Sequence, residues 1–223
     1  MQAATRSARP RVVVFDFDGV LVRGDTFGLF MRDRYAHGGW RKALVLLASP
    51  WLLVLLLVSR RRCLRALVHI GLLGVGRARY RALAEGFAAA LVHRPHQFYR
   101  EGIATLRRYL AAGDRVVVVT GCEETLARGV LEGLGVSPVE IVASHLTAGR
   151  LGMRSGWHNV GRAKLEALAA YGVEGWQVAY TDSLQDVPLL AVATEAVLVN
   201  GSPKLCKQVE KALGRSVTRV EWR

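Results

Sequence analysis

Two carboxylates separated by one residue, Asp16 and Asp18, directly follow a short apolar run in the stretch VVVFDFDGV. A second apolar run, VVVVTG, ends in a hydroxyl residue and a glycine, Thr120 and Gly121. Carboxyl and hydroxyl groups can act as nucleophiles or as acid–base catalysts. Each pair taken alone is equally compatible with a simple turn at the end of a strand.

Two further polar motifs lie in the second half of the chain. Lys164 stands in GRAKLEAL, and Asp182 and Asp186 stand in YTDSLQD, again after an apolar run. In isolation Lys164 is compatible with a solvated helix lysine, and Asp182 with the N-cap of a helix. The glycine-rich fingerprint of dinucleotide-binding folds is absent from the sequence, which argues against dinucleotide binding at the strand ends.

The elements that must position these residues alternate along the chain. Short β-branched runs without helical periodicity predict strands, and helix-period stretches separate them. Strands are predicted over 11–17, 115–121, 139–144, 176–181 and 196–200, and helices over 95–112, 123–134, 161–171 and 186–193. This order predicts an α/β fold with a doubly wound, mainly parallel sheet. In such sheets functional residues gather at the carboxyl ends of the strands.

The four motifs in this order resemble motifs one to four of the haloacid dehalogenase-like phosphohydrolases. The resemblance covers residues 11 to about 200, and its quoted pieces are VFDFDGVL, VVTG, the lysine of GRAKLEAL, and YTDSLQD. About 95 residues separate the first two motifs, which resembles the phosphoserine phosphatase-like branch with a helical cap inserted after motif one. More narrowly, DTFGLF, the Leu-rich insertion and YTDSLQDVPLL resemble the bacterial phosphatidylglycerophosphatase C family.

The resemblance implies a role for each motif residue. Asp16 is the implied nucleophile, since a carboxylate can form an aspartyl-phosphate that water later cleaves. Asp18 is the implied general acid and base, with a pKa high enough to exchange protons near neutral pH. Thr120 and the amide of Gly121 would bind the phosphoryl oxygens, and Lys164 would both bind the phosphoryl group and neutralise its developing charge.

The same resemblance implies a metal site. The side chains of Asp16 and Asp182 and the backbone carbonyl of Asp18 are its implied ligands, and Asp186 would hold a water of the metal. Oxygen-only ligands suit a hard cation, and the expected ion is Mg²⁺. A cation is needed because several carboxylates around an anionic phosphate would otherwise repel it.

The charge of the chain is concentrated in one segment. The 223 residues carry 31 Lys and Arg against 18 Asp and Glu, a net charge of +13, which indicates a polyanionic partner. Residues 23–94 alone hold 13 Lys or Arg and 3 acids. We therefore predict a phosphatase core over 1–22 and 95–223, and a basic, apolar helical cap over 23–94.

The cap contains two apolar runs, 43–58 and 64–75, with clusters of basic residues at their ends. One interpretation is a buried core helix; the favoured one is a membrane-associated hairpin, because anionic headgroups attract the flanking charges. The first run is about 24 Å long as a helix, shorter than the hydrocarbon core, and contains Pro50. Because the motifs lie on both sides of the cap in sequence, only zero or two crossings are possible.

The predicted function is a Mg²⁺-dependent phosphomonoester hydrolase. Its expected substrate is a membrane phospholipid phosphate such as phosphatidylglycerophosphate, met at an anionic membrane surface on the cytoplasmic side of the cell inner membrane. The alternative is a soluble, cytoplasmic small-molecule phosphatase of phosphoserine phosphatase type, and a third hypothesis is a catalytically silent membrane-binding module. Nucleic acid is not an expected partner, because the basic residues flank aliphatic runs and not aromatic ones.

Overall fold

A six-stranded parallel sheet forms the centre of the computed structural model, which describes residues 10–223. Its strands are β1 (Val12–Phe15), β2 (Arg115–Glu123), β3 (Glu140–Ser144), β6 (Val178–Thr181), β7 (Glu195–Val199) and β8 (Thr218–Val220). They are ordered β3-β2-β1-β6-β7-β8. β4 (Leu146–Gly149) and β5 (Gly152–Ser155) form a separate antiparallel hairpin. Residues 1–9 of the predicted core segment lie outside the described residues.

The sheet is buried on both faces. In β1, Val13 and Phe15 point to one apolar cluster while Val14 points to another, because successive side chains of a strand alternate in direction. The first cluster includes side chains of α6 (Arg100–Ala111) and α7 (Glu124–Gly133); the second includes those of α8 (Arg162–Ala170), α9 (Val187–Val192) and α10 (Pro203–Leu213). Helices on both faces of a parallel sheet confirm the predicted doubly wound α/β fold.

Five helices lie between β1 and α6. They are α1 (Thr26–Ala36), α2 (Gly39–Leu47), α3 (Ser49–Val58), α4 (Arg60–Gly71) and α5 (Arg77–Leu91). Asp25 caps the first of them by accepting a hydrogen bond from the backbone N–H of Gly28 at 2.9 Å. α5 buries Tyr80 and Phe87 in the same cluster as Val130 of α7. This packing joins the insertion to the helices of the core.

The long apolar run of the insertion is not a single helix. α2 ends at Leu47 and α3 begins at Ser49, and the two axes differ by 65°. Pro50 explains the break, since a proline ring clashes with the preceding helical turn but is tolerated in the first turn of a new helix. Among residues 10–223, no single helix is long and apolar enough to span a membrane. The bent pair of α2 and α3 would be long and apolar enough if the two helices are counted together, by length and composition only.

Two sets of backbone contacts fasten the insertion to the rest of the chain. Where the chain leaves and re-enters the core, Val22 and Phe98 form an antiparallel bridge. A second attachment lies at the β4–β5 hairpin, where the N–H of Gly74 donates to Leu151 O and the N–H of Met153 donates to Val75 O, both at 2.9 Å. The helical insertion is therefore held at two separate places.

Candidate active site

Three neighbouring strands end at the same edge of the sheet. β1 lies between β2 and β6, so the residues that follow β1 and β6 and the last residues of β2 are brought together there. Asp16 follows β1 directly, and its N–H donates to Tyr180 O at 2.9 Å. Thr120 lies near the end of β2, and Asp182 follows β6. The predicted clustering of polar strand-end residues is therefore present.

A buried ion-pair triad forms the centre of this edge. Lys164 Nζ lies 2.8 Å from Asp16 Oδ2 and 2.7 Å from Asp186 Oδ2. The side chains of Lys164, Asp16 and Asp186 are only 4, 10 and 3% exposed. Thr181 adds a hydroxyl hydrogen bond to Asp186 Oδ2 at 3.0 Å. Three residues predicted from separate motifs thus contact one another directly.

Burial and charge act in opposite directions on this triad. Burial raises the pKa of Asp16 well above its ordinary value, and the Lys164 ammonium opposes that rise. Burial also favours the neutral form of Asp186, but the charge and hydrogen bond of Lys164 hold the pKa of Asp186 below its usual range. Burial alone would lower the pKa of Lys164, yet the two carboxylates raise it. Lys164 is therefore positively charged at neutral pH and Asp186 negatively charged.

Asp18 lies in a different environment, against the start of α1. Its Oδ1 accepts hydrogen bonds from the backbone N–H of Thr26 at 2.9 Å and from the Thr26 hydroxyl at 2.5 Å. Burial raises the pKa of Asp18 to about 7, although both hydrogen bonds oppose the rise. A carboxyl group with this pKa can donate and accept protons near neutral pH.

The loop after Asp18 comes into close contact with Asp182. Gly19 has a φ of +78°, and a Cβ at this position would lie 1.9 Å from Asp182 Oδ2. Only glycine fits here, because any side chain would collide with the carboxylate and strain the backbone. The Asp182 carboxylate consequently lies against the backbone of the loop that carries Asp16 and Asp18.

This loop and Asp182 provide oxygen donors that fit Mg²⁺. Burial raises the pKa of Asp182 as well as that of Asp16, so a divalent cation would compensate two desolvated carboxylates. Within residues 10–223, no three acidic, histidine or cysteine side chains converge as a complete metal site. The predicted ligand set does not need a third side chain, since it combines the carboxylates of Asp16 and Asp182 with the backbone carbonyl of Asp18.

Thr120 and Gly121 lie where β2 becomes irregular. The pairing of β2 with β3 shifts register between Val119 and Glu123. Thr120 is fully buried, and its hydroxyl accepts a hydrogen bond from the N–H of Cys122 at 2.9 Å. A Cβ at Gly121 would lie 3.0 Å from Val160 Cγ2, so the chain packs tightly against the segment that precedes α8.

Several residues of this region were not predicted from the sequence. Besides Thr26 and Thr181, Glu123 is buried and accepts a hydrogen bond from the hydroxyl of Tyr80 at 2.6 Å. The same carboxylate caps α7 by accepting from the N–H of Thr125 at 3.0 Å. Glutamate is not a typical N-cap residue, so only its position two residues after Gly121 of motif two could have drawn attention to it.

Comparison with known proteins places the chain in a family. Residues 13–191 match the family model described as haloacid dehalogenase-like hydrolase. Protein CicA from Caulobacter vibrioides is 31% identical over 198 residues, which are 83% of this chain and 84% of that protein.

Solved structures share the fold at low sequence identity. A protein from Bordetella pertussis Tohama I, described as of unknown function, has a TM-score of 0.71 at 18% identity and covers 95% of this chain and 99% of its own. A phosphoserine phosphohydrolase-like protein from Francisella tularensis has a TM-score of 0.60 at 16% identity, covering 94% of both chains. A substrate-bound phosphoserine phosphatase has a TM-score of 0.58 at 16% identity, covering 96% of this chain and 93% of that one.

These solved structures share the α/β fold that the sequence motifs predicted. The family match supports the prediction of a hydrolase. On the strength of the matched residues, which run from β1 through α8 to α9, the chain belongs to the haloacid dehalogenase-like hydrolases.

Proposed function

We propose that this hydrolase cleaves phosphomonoesters through an aspartyl-phosphate on Asp16. The observation that carries the proposal is the buried triad of Asp16, Lys164 and Asp186, with Asp18 beside it on the same loop. Lys164 favours the ionised form of Asp16, which burial alone would neutralise. An ionised carboxylate is the form that can attack phosphorus.

The proposed reaction has two steps. Asp16 Oδ attacks phosphorus, the bond to the ester oxygen breaks, and the Asp18 carboxyl donates its proton to the departing alkoxide. Asp18, now ionised, takes a proton from a water molecule that attacks the phosphorus of the aspartyl-phosphate, releasing inorganic phosphate and regenerating Asp16. The pKa of about 7 for Asp18 suits both directions of proton transfer.

The remaining predicted site residues take supporting roles in this proposal. Thr120 and the amide of Gly121 bind phosphoryl oxygens, and Lys164 offsets the charge that develops on them. Mg²⁺ is the proposed cofactor, held by Asp16, Asp182 and the carbonyl of Asp18, with Asp186 in its outer sphere. When bound, the ion supplies positive charge that reduces the repulsion between the carboxylates and the phosphate.

We further propose that residues 23–94 act as a cap over a core of 1–22 and 95–223. One surface of this segment, here called the apolar surface, exposes large hydrophobic side chains. It comprises Leu46, Leu47, Trp51, Leu53, Val54, Leu56, Leu57, Val58 and Leu64. Leu57 is the most open of them, at 88% exposure. Many exposed apolar side chains in one segment are typical of an interaction site, since soluble chains rarely expose large apolar areas together.

The charge around the apolar surface suggests its partner. Arg60, Arg61 and Arg62 lie between Val58 and Leu64 of this surface, and the sequence contains no Asp or Glu between residues 34 and 84. Apolar side chains with basic neighbours suit an anionic membrane surface. The proposed substrate is therefore a phospholipid phosphomonoester, with phosphatidylglycerophosphate as the specific candidate, met at the cytoplasmic face of the inner membrane.

A second candidate is a soluble phosphatase that acts on a small phosphomonoester of phosphoserine type. The fold similarity to phosphoserine phosphatase, which extends over nearly the whole chain, favours this alternative. In that case the apolar surface would serve a role other than substrate access.

Release of inorganic phosphate from a substrate panel tests these proposals. The panel contains phosphatidylglycerophosphate in mixed micelles, phosphoserine and other water-soluble phosphomonoesters, each with Mg²⁺ or with EDTA. We expect Mg²⁺-dependent turnover that is fastest on the lipid, and its near-complete loss in Asp16→Asn. Preference for soluble esters would favour the second candidate. If the function of the protein in the cell is unaffected by Asp16→Asn, the remaining hypothesis is a catalytically silent membrane-binding module.

A further inference from the structure

A buried hydrogen bond connects the helical insertion with the strand that carries motif two. The hydroxyl of Tyr80, in α5, lies 2.6 Å from Oε2 of Glu123, the last residue of β2. The two residues are only 3 and 7% exposed. Burial, and after it the charge of Glu123, raises the pKa of Tyr80, so the hydroxyl keeps its proton and donates it. The insertion therefore supplies a donor to a carboxylate of the core.

The packing of α5 against α7 holds this donor in place. A Cβ on Gly129 of α7 would lie 3.0 Å from the Cβ of Ala88 in α5, so the two helices approach closely at a position without a side chain. Within the insertion, the ring of Tyr80 packs edge-on against the ring of Phe30, with 5.9 Å between their centres. The ring of Tyr80 is thus fixed by apolar contacts before its hydroxyl forms the bond.

Glu123 is held by three further hydrogen bonds. Its Oε2 accepts from the N–H groups of Thr125 and Leu126, at 3.0 and 3.3 Å. Its Oε1 accepts from the hydroxyl of Thr125 at 3.1 Å. A buried polar group with all these partners is confined to one arrangement. The bonds fix the point at which β2 ends and α7 begins.

The part of β2 just before Glu123 forms an irregular bulge. On one side of the bulge, Val119 pairs with Val142 of β3, and on the other side Glu123 pairs with Ser144. Three residues of β2, 120–122, therefore face a single residue of β3. Because a bulge bends its strand and re-aims the groups it carries, the direction of residues 120–122 depends on where the two ends are held.

We propose that Tyr80 and Glu123 are positioning residues for the segment 120–122. This inference rests on the proposed function, in which Thr120 and the amide of Gly121 bind the phosphoryl oxygens. Tyr80 and Glu123 act without touching the substrate, because the bond between them keeps one end of the bulge in place. The insertion thereby contributes to phosphoryl binding through α5, in addition to its role as a cap. Small displacements of such donors reduce the rate strongly.

Tyr80→Phe tests the inference, since it removes the hydroxyl and keeps the ring. We would measure hydrolysis of p-nitrophenyl phosphate with Mg²⁺, and its inhibition by orthovanadate, which imitates a phosphoryl group in transfer. The inhibition constant of orthovanadate should rise roughly tenfold, with a parallel fall in kcat/KM, because the phosphoryl donors are displaced. A purely structural loss would reduce the amount of active enzyme and leave the inhibition constant unchanged.

Tyr35→Phe is the matched control. The hydroxyl of Tyr35 donates to Leu67 O at 2.6 Å, a bond of the same length that lies within the insertion. Its loss should leave the inhibition constant of orthovanadate within about twofold of wild type, because no partner is shared with motif two. Equal inhibition constants in Tyr80→Phe and Tyr35→Phe would overturn the inference.

Two substitutions of Glu123 provide a second measurement. Glu123→Gln keeps an oxygen that can accept from Tyr80 and from α7, whereas Glu123→Leu keeps none. Gln should therefore preserve the inhibition constant and Leu should raise it. An equal rise in both variants would assign the effect to the charge of Glu123 and contradict the positioning role. If Glu123→Leu does not fold, Glu123→Gln and Tyr80→Phe still decide.

Asp16→Asn separates this inference from the proposed function. Wild-type turnover that orthovanadate inhibits and Asp16→Asn abolishes supports the proposed function, whatever the result for Tyr80→Phe. In that case an unchanged inhibition constant in Tyr80→Phe overturns the positioning role alone. Failure of the wild type to hydrolyse any phosphomonoester would overturn the proposed function, and the positioning role with it.

Discussion

One ammonium group, Lys164 Nζ, lies between the carboxylates of Asp16 and Asp186, at 2.8 and 2.7 Å. Asp16 follows β1, whereas Asp186 lies in the turn after β6. The bridge therefore joins the beginning and the end of residues 13–191, which match the family model, and its three side chains are buried. It also favours the ionised form of both acids, which burial disfavours.

Replacing this bridge should affect both activity and stability. Lys164→Met is expected to lower the rate of phosphate release about 100-fold or more, because a charge that stabilises the transition state is lost. The free energy of unfolding should fall by about 3 kcal/mol, since two buried carboxylates lose their cation. Phosphate release and urea unfolding measure the two effects. The exposed Lys204→Met serves as control; wild-type turnover in Lys164→Met would contradict the assigned role.

The hydrogen bonds between Thr26 and Asp18 should set the pH dependence of the first step. That step needs Asp18 protonated, so kcat/KM should fall as pH rises through the pKa of about 7. The Thr26 hydroxyl lowers this pKa, so Thr26→Val should raise it and move the fall in kcat/KM to higher pH. Profiles of kcat/KM from pH 5.5 to 9 measure the shift, and Thr147→Val, at an exposed position, serves as the control. An unchanged profile, or a shift to lower pH, would argue against Asp18 as the acid.

The orientation of α3 can be tested with two adjacent leucines. Leu52 is 7% exposed and Leu53 is 61% exposed. Leu52→Ala should reduce the free energy of unfolding by about 2 kcal/mol or more, since it creates a cavity. Leu53→Ala should change it by less than about 0.5 kcal/mol. Equal effects in urea denaturation would show that this helix packs with a different face inward.

Two glycines near the hairpin provide a matched pair. Gly152 has a φ of +132°, and a Cβ there would lie 2.2 Å from Leu72 O, whereas Gly74 has a φ of +69° with open space around it. Gly74→Ala should cost about 1 kcal/mol of stability from backbone strain alone. Gly152→Ala should cost clearly more, because strain and collision add. Thermal unfolding of both variants measures the two losses of stability. A smaller loss for Gly152→Ala than for Gly74→Ala would contradict the prediction.

The sheet could be predicted well because its strands are apolar on both faces. All five predicted strands are present, and each predicted helix of the core overlaps an observed one. The helix predicted over 95–112 begins only at Arg100, after a segment in which His96 has a φ of 58°. The β4–β5 hairpin and β8 were missed because these short, partly exposed strands lack the continuous apolar run that marks β1 and β6, which are equally short.

The site was predicted from motif order, and the contacts within it were not. Helix α10 was also missed, although Ser202 accepts from the N–H of Leu205 as its N-cap and Gly214 ends it. Thr26 and Thr181 donate hydrogen bonds to the site carboxylates of Asp18 and Asp186, and Glu123 accepts one from Tyr80 of α5. Neighbours of that kind have no fixed sequence spacing, so they become visible only in three dimensions.

The attachment at the β4–β5 hairpin limits how the enzyme can admit its substrate. The two chain connections of the insertion are paired side by side through Val22 and Phe98, and alone they would permit rotation about a common pivot. The bonds from Gly74 to Leu151 and from Met153 to Val75 restrain that rotation from a second position. A rotation of the insertion about this pivot would therefore have to carry the hairpin with it, or break these bonds and the packing of α5 against α7.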